Sequence, residues 1–372
     1  MLATKNIQIQ IDDFLASVYV PSHSPSTVKA YKLAIKHFSK FVETKHEKSL
    51  EQILKLIEKE TFDQYDLLRE FSVYLDKKLR PNSVKSNLTG IRSFLRFCGV
   101  KIYSEEFRSK VRLPKAIQTR EDPLTREIIL RVLNTVSPKI RVIILIAIAS
   151  GMRIGEIIQL QLSDIDFDST PVKIRIRGET TKTRESRETF LTAETVKSLK
   201  DYLIKFHDWK YGDSGTNLEG VWLFGPTNAG SHSKNDVRII GANLAKQMSN
   251  HLSKVPELSK INGNGVHMIH FHAFRKYFYT EVSNISTQNF AHALMGHHDY
   301  LDTYYNQTEE KKRELYLKAE PHLTISDFSA LEKEIKNVNQ RQQEIIKKQL
   351  ELDRLLEDNH IKVPQILQKY MN

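Results

Sequence analysis

Cysteine is almost missing from this chain of 372 residues: Cys98 is the sole one. That excludes an internal disulfide framework and a cysteine-based zinc site. Long apolar runs are missing too. The longest, residues 142–149, falls far short of the roughly 20 residues a membrane-spanning helix needs, so no membrane partner is expected. The opening residues 1–14 hold neither an apolar core nor a small-residue cleavage site, so no signal peptide is expected and the cytoplasm is the expected location. Negative charge is in deficit: 45 Asp and Glu against 56 Lys and Arg leave a net +11 and a pI near 9.4. Such an excess points to a polyanion, nucleic acid first. What the chain does have is 40% hydrophobic and 27% charged residues, which suits packed cores and excludes disorder throughout.

The length fits two domains or three. Val28, Tyr31, Ile35, Phe38 and Val42 recur at helical spacing after Ser24-Pro25, a cap followed by a helix-start proline. Lys29, Lys32, Lys36 and Lys40 lie on the rest of that helix. A second helix repeats the plan after Arg80-Pro81: Val84, Leu88, Ile91 and Leu95 face inward, while Lys85, Arg92 and Arg96 form a basic stripe. Two such stripes suggest a surface that faces phosphates. Cys98, directly after, reads as a core filler.

Residues 101–120 lack helical periodicity and are rich in Lys and Arg, which reads as a basic linker. Thr125 is a plausible cap for the helix that follows it. Residues 142–149 are apolar all round and should form a buried helix at the centre of a second domain. Val172, Ile174 and Ile176 then alternate with Lys173, Arg175 and Arg177, a half-buried strand, and residues 188–191 read as its returning partner across a turn at Gly178. From about residue 326 the tail carries a heptad seam of Leu331, Ile335, Val338, Gln342, Ile345, Gln349, Leu352 and Leu356. It either folds back on the body or forms a short coiled coil with another copy. The expected fold is mainly α with a small antiparallel β-sheet, divided into a helical domain at 1–105, a linker at 106–122, a second domain at 123–325 and a helical tail at 326–372.

Four separated segments carry chemistry. In the first, Arg153 emerges from Gly151-Met152-Arg153-Ile154-Gly155-Glu156 at the start of a helix, placed to grip an anion or, more plainly, to pair with Glu156. In the second, Lys182 sits with Arg184 and Arg187 at the tip of the hairpin, able to enter a nucleic-acid groove or simply to be solvated. In the third, His272 and Arg275 stand three apart on one helix face. A zinc site at His267, His270 and His272 is disfavoured, because no Cys and no helical His-x-x-x-His accompanies them. The fourth is Leu294-Met295-Gly296-His297, followed by Tyr304-Tyr305.

Together and in this order, the segments resemble the tyrosine recombinase (phage integrase) family over roughly residues 10–320. That family's pattern is an arginine in a G-x-R-x-G-E box, a hairpin lysine, H-x-x-R, then L-G-H and a nucleophilic tyrosine. The Met295 insertion and the residues after Tyr305 look most like integrases of archaeal elements. The resemblance implies a helical core-binding domain followed by a catalytic domain. It also implies a site-specific recombinase that cleaves and rejoins DNA through a 3′-phosphotyrosyl intermediate, with Arg153, Lys182, His272, Arg275, His297 and Tyr305 as catalytic residues. One departure stands out: position 306, nine after the box histidine, is Asn. Tyr305 is therefore the expected nucleophile and Tyr304 the alternative. Lys29, Lys32, Lys36, Lys85, Arg92, Arg96 and Arg184 are the expected DNA contacts. The expected partners are double-stranded DNA and further copies of the chain, from dimer to tetramer on DNA; no cofactor or metal is expected. Two rival readings are a type IB topoisomerase-like nicking-closing enzyme and an inactive DNA-binding regulator of the same fold.

Overall fold

The computed structural model describes residues 6–115, 122–207, 221–224, 234–261, 267–296, 307–326, 342–351 and 354. They group into two compact units. One takes the described residues of Met1–Asp122, Ala229–Asn243 and Lys260–Met268; the other takes those of Pro123–Asn228, Leu244–Ser259 and Ile269–Asn372. Among the described residues no helix is long and apolar enough to cross a membrane.

The first unit is helical: α1 (Ile7–Ser22), α2 (Pro25–His46), α3 (Leu50–Glu58), α4 (Gln64–Asp76), α5 (Pro81–Phe97) and α6 (Ser104–Lys110). Ser24 caps α2 by accepting from the Thr27 amide, and Pro25 opens its first turn. Helices α2 and α5 pack so closely that a Cβ on Gly90 would stand 2.9 Å from that of Ala34. Phe38, Phe41 and Phe71 meet at the centre, with the ring centroid of Phe71 5.0 Å from Phe38 and 5.3 Å from Phe41. Ile35, Phe38 and Val42 are buried, as are Val84, Leu88, Ile91 and Leu95; Val28 and Tyr31 pack half-buried at the edge. Lys29, Lys32, Lys36 and Lys40 are exposed.

The stretch read as a linker without helical periodicity differs from that expectation. It contains α6, so the boundary expected after residue 105 falls inside a helix. Ile102, Phe107 and Val111 are buried with the core of the unit. Two turns are too short to display a helical period, and only the i, i+4 pair Phe107 and Val111 carries the signal. The segment is held by part of the second basic stripe. Arg96 donates Nε and Nη2 to the Ile102 carbonyl, and the Arg92 guanidinium lies 4.8 Å over the Phe107 ring. Cys98 is half-buried, and burial pushes its thiol up to about 11, as suits a packing residue.

The second unit contains α7 (Arg126–Thr135), α8 (Pro138–Ser150), α9 (Ile154–Ile158), β1 (Ile165–Asp166), β2 (Val172–Ile176), β3 (Arg187–Leu191) and α10 (Ala193–His207). After these come α11 (Lys234–Leu252, grouped with this unit from Leu244 on), α12 (Phe271–Ile285), α13 (Gln288–Met295) and α14 (Glu309–Leu323). The sheet is antiparallel in the order β1-β2-β3, with Ile174 opposite both Ile165 and Thr189. Helix α8 is the axis. Every residue from Val142 to Ser150 is buried, and α8 packs against α10, α12, α14 and β3. Residues 342–351 are helical and exposed, Ile345 and Leu350 included. Gln342, Ile345 and Gln349 of the heptad seam lie on this stretch; Leu331, Ile335, Val338, Leu352 and Leu356 lie outside the described residues.

The C-terminal end of α8 must find donors for its last carbonyls. Gly151, in the left-handed conformation at φ 64°, returns its amide to Ala147. The Thr189 hydroxyl donates to the Ser150 carbonyl at 2.9 Å, and the fully buried Tyr316 hydroxyl donates to Ala149 at 2.8 Å. Tyr316→Phe keeps the ring and leaves that carbonyl buried without its donor. The expected loss is about 1–3 kcal/mol in urea unfolding; an unchanged midpoint would show that the bond contributes nothing.

Candidate active site

Two helix ends and one hairpin converge in the second unit. Helix α8 ends at Gly151, and α13 ends at Gly296, which is also left-handed at φ 65°. A Cβ at Gly151 would collide with the Phe278 ring, and one at Gly296 would come 2.9 Å from Cδ of Arg187. Glycine is therefore required at both positions by conformation and by space. Gly155 differs, since nothing lies within 4 Å of a Cβ placed there.

Arg275 lies between those ends and is 1% exposed. Its Nη1 donates to the Gly151 carbonyl, and its Nη2 donates to the Met295 carbonyl at 2.8 Å. Burial, then the charge of Arg153, pushes its pKa down to about 9, with Glu156 opposing; it stays cationic at neutral pH. His272 and Arg275 both lie on α12, three residues apart; Arg275 is buried and His272 exposed. The reason is that two helix C-termini offer carbonyls to a planar donor, whereas His272 sits on the first turn. Partial desolvation, then the charges of Lys276, Arg275, His270 and Arg153, lowers the pKa of His272, so its imidazole is neutral at pH 7.

Beside Arg275 a single carboxylate gathers three groups. Glu156, 2% exposed, stands at the third position of α9, and its Oε2 accepts from the Arg153 amide at 2.9 Å, closing the helix start. Its Oε1 accepts from Arg153 Nη1 at 3.0 Å. Arg187 of β3 adds Nη2 to Oε2 at 2.6 Å and Nη1 to Oε1 at 3.2 Å, a bidentate fork. Arg187 Nε also donates to the Leu294 carbonyl at 2.9 Å, near the end of α13. Burial alone would raise the pKa of Glu156; its bonds and charges from Arg187 and Arg153 outweigh that and hold it below the usual carboxylate range.

The Arg153 side chain remains 30% exposed. Lys182 is exposed at the hairpin tip, as is Arg184, whose backbone is left-handed at φ 62°. Arg187, read with them as part of one basic run, instead turns inward. Strand parity is the signal that could have found this, because Arg187 shares a side of β3 with Thr189 and Leu191, both buried, and Glu188 beside it is exposed. His297, Tyr304 and Tyr305 lie outside the described residues. Their flanks are anchored: α13 is gripped at its end by two arginines, and Lys173 of β2 binds Glu309 in the first turn of α14 at 3.0 Å. Among the described residues no group of three or more His, Cys, Asp or Glu could hold a metal ion.

The sequence pattern of the phage integrase family matches residues 123–311, about half of the chain. The chain belongs to the phage integrase family, the site-specific tyrosine recombinases. It is 27% identical over 229 residues to tyrosine recombinase XerA of Thermococcus onnurineus (strain NA1), a match covering 55% of this chain and 73% of XerA. It is 31% identical over 147 residues to XerC of Chlamydia trachomatis serovar L2, covering 37% of this chain and 43% of that protein. In fold it is similar to a lambda integrase tetramer bound to a Holliday junction, with TM-score 0.54 and 15% identity over 82% of this chain and 81% of that one. XerH recombinase bound to its difH substrate gives TM-score 0.50 and 18% identity over 77% and 78%.

Glu156→Gln would leave Arg187 buried without its counter-charge, at an expected cost of about 3–5 kcal/mol at pH 7. The sign with pH follows from the lowered folded pKa. The native state resists protonation, so the contribution is full above the ordinary value of 4.5 and is lost as pH falls through the folded value. Urea midpoints of wild type and variant should differ widely at pH 7 and draw together as the pH falls below 4.5. A gap of constant size would contradict the ion-pair account.

Proposed function

We propose that this recombinase cleaves double-stranded DNA with Tyr305, and that the cluster around Glu156 is its phosphate site. The tyrosine oxygen forms a bond to phosphorus while the bond from phosphorus to the 5′ oxygen breaks, leaving a 3′-phosphotyrosyl link. Lys182 gives a proton to the departing 5′ oxygen. The tyrosine proton passes to a histidine, His272 or His297; the neutral imidazole of His272 suits that role. Attack by another 5′ hydroxyl reverses the step and rejoins the strands without an external energy source.

The observation that carries the reading is the convergence of Arg153, Arg275, Arg187 and Glu156 on the helix end that leads directly into His297. Phosphoryl transfer needs fixed positive charge around the non-bridging oxygens. Arg153, still partly exposed, offers its fork to the phosphate; Arg275 adds charge from below and holds the two helix ends. Exposed Lys29, Lys32 and Lys36 on α2, with Lys85, Arg92, Arg96 and Arg184, would bind the DNA backbone; Arg92 and Arg96 do so while also holding the α6 segment. Self-association on DNA, up to a tetramer, would bring two sites together, with the heptad tail as one contact. The lambda integrase tetramer on its Holliday junction supports that assembly by analogy. A cytoplasmic enzyme of an archaeal mobile element is the origin we favour, supported by the likeness to XerA of Thermococcus onnurineus.

The test is covalent capture on a nicked suicide duplex carrying the enzyme's own core site. Tyr305→Phe should abolish the protein–DNA adduct and Tyr304→Phe should leave it. Adduct persisting in Tyr305→Phe and lost in Tyr304→Phe would reverse the assignment, and no adduct from wild type would remove the mechanism.

A further inference from the structure

We propose that Arg177 is a positioning residue, which fixes the base of the β2–β3 hairpin and so sets where Lys182 delivers its proton. This rests on the reading of Lys182 as the proton donor. The guanidinium of Arg177 joins three stretches of chain. Its Nε lies 3.1 Å from Asp164 Oδ1, and its Nη2 donates to the Gln159 carbonyl at 2.6 Å. Its Nη1 reaches Glu179 at 3.4 Å, and its Cζ lies 5.6 Å over the Trp222 ring. Trp222 is itself paired with Gln161, and Leu223 donates to the Leu160 carbonyl, so residues 221–224 run alongside the segment that Arg177 grips. Asp164 is 8% exposed and also accepts from the Gln161 amide at 2.9 Å. The anchor therefore sits on buried, paired groups rather than on a solvated surface.

From that anchor the path to Lys182 is short and tied down. The Arg177 carbonyl accepts from the amide of Thr180 at 3.0 Å and from its hydroxyl at 2.7 Å. Thr181, buried, sends its hydroxyl to the carbonyls of Gly178 and Glu185, closing the two arms of the turn on each other. The arms are so close that a Cβ on Gly178 would stand 2.8 Å from the Arg184 carbonyl oxygen. Residues 182–186 are exposed, so Lys182 stands in solvent at the tip of an arm tied down at its base. In the cleavage step the bond from tyrosine to phosphorus forms, the bond to the 5′ oxygen breaks, and the Lys182 ammonium supplies the proton that oxygen needs. A proton donor must come within about 3 Å of its acceptor, and a displacement of about 1 Å costs on the order of a hundredfold in rate. A change at Arg177 should therefore be felt at Lys182.

The experiment compares two leaving groups in single-turnover cleavage at saturating DNA. A normal phosphodiester needs protonation of its 5′ oxygen; a 5′-bridging phosphorothiolate expels a thiolate that does not. Arg177→Lys keeps a positive charge beside Asp164 but loses the fork, and Asp164→Asn loosens the same anchor from the other side. Both should slow the normal substrate about tenfold or more and leave the phosphorothiolate within about twofold of wild type. Lys182→Ala is the reference. If it is slowed on both substrates, the reading of Lys182 as the proton donor fails, whatever Arg177 does. If Lys182→Ala recovers on the phosphorothiolate while the Arg177 and Asp164 variants are slowed alike on both, Arg177 is merely structural and the inference is overturned. Normal cleavage of the phosphodiester by both variants would overturn it as well.

Discussion

A guanidinium buried between two helix ends is the constraint on which the second unit depends. Taking Arg275 out of water is costly, and the carbonyls of Gly151 and Met295 offset that cost by accepting from its Nη1 and Nη2. Both lie at helix C-termini, where the aligned peptide dipoles leave partial negative charge that favours a cation. One side chain thereby ties together elements that are far apart in sequence. It does so only because both helices terminate in a left-handed glycine: a side chain at Gly151 would strike Phe278, and one at Gly296 would strike Arg187.

The second constraint is electrostatic. Arg153 and Arg187 lie close enough to Arg275 that their charges help lower its pKa, and like charges gathered alone would repel. Glu156 makes the grouping possible, with two bonds from Arg187 and two from Arg153 on one buried carboxylate. The result is a set of positive charges held in fixed places, which under the proposed function would be organised before a phosphate arrives. The base of the hairpin bearing Lys182 is held by a separate ion pair, Arg177 with Asp164, so the hairpin and the Glu156 cluster have different supports.

The parts of this fold legible in the sequence are those whose signal is local. Helix α8 is apolar on every side because it is surrounded, and the β2–β3 hairpin alternates because one face is covered. The caps at Ser24 and Thr125 announce their helices in the same way. Helix α6 is too short to show a period. The candidate site was legible as an ordered set of residue types, since Arg153, Lys182, His272 and Arg275 carry the family's spacing. Their orientations were not. Whether Arg275 faces solvent or the interior is decided by carbonyls 124 and 20 residues away, and Arg187 turns inward to meet a carboxylate 31 residues earlier. Such pairings come from tertiary packing and leave no periodic trace.

The clamp by Arg275 is tested most directly by hydrogen–deuterium exchange of the wild type against Arg275→Lys, which keeps the charge and loses the fork. Two amides report on it: Gly151, bonded to Ala147 at the end of α8, and Gly296, bonded to Ala293 at the end of α13. The account predicts faster exchange at both helix ends together, with the amides of α2 and α5 unchanged. Unaltered exchange at both ends, or a change confined to one of them, would contradict it.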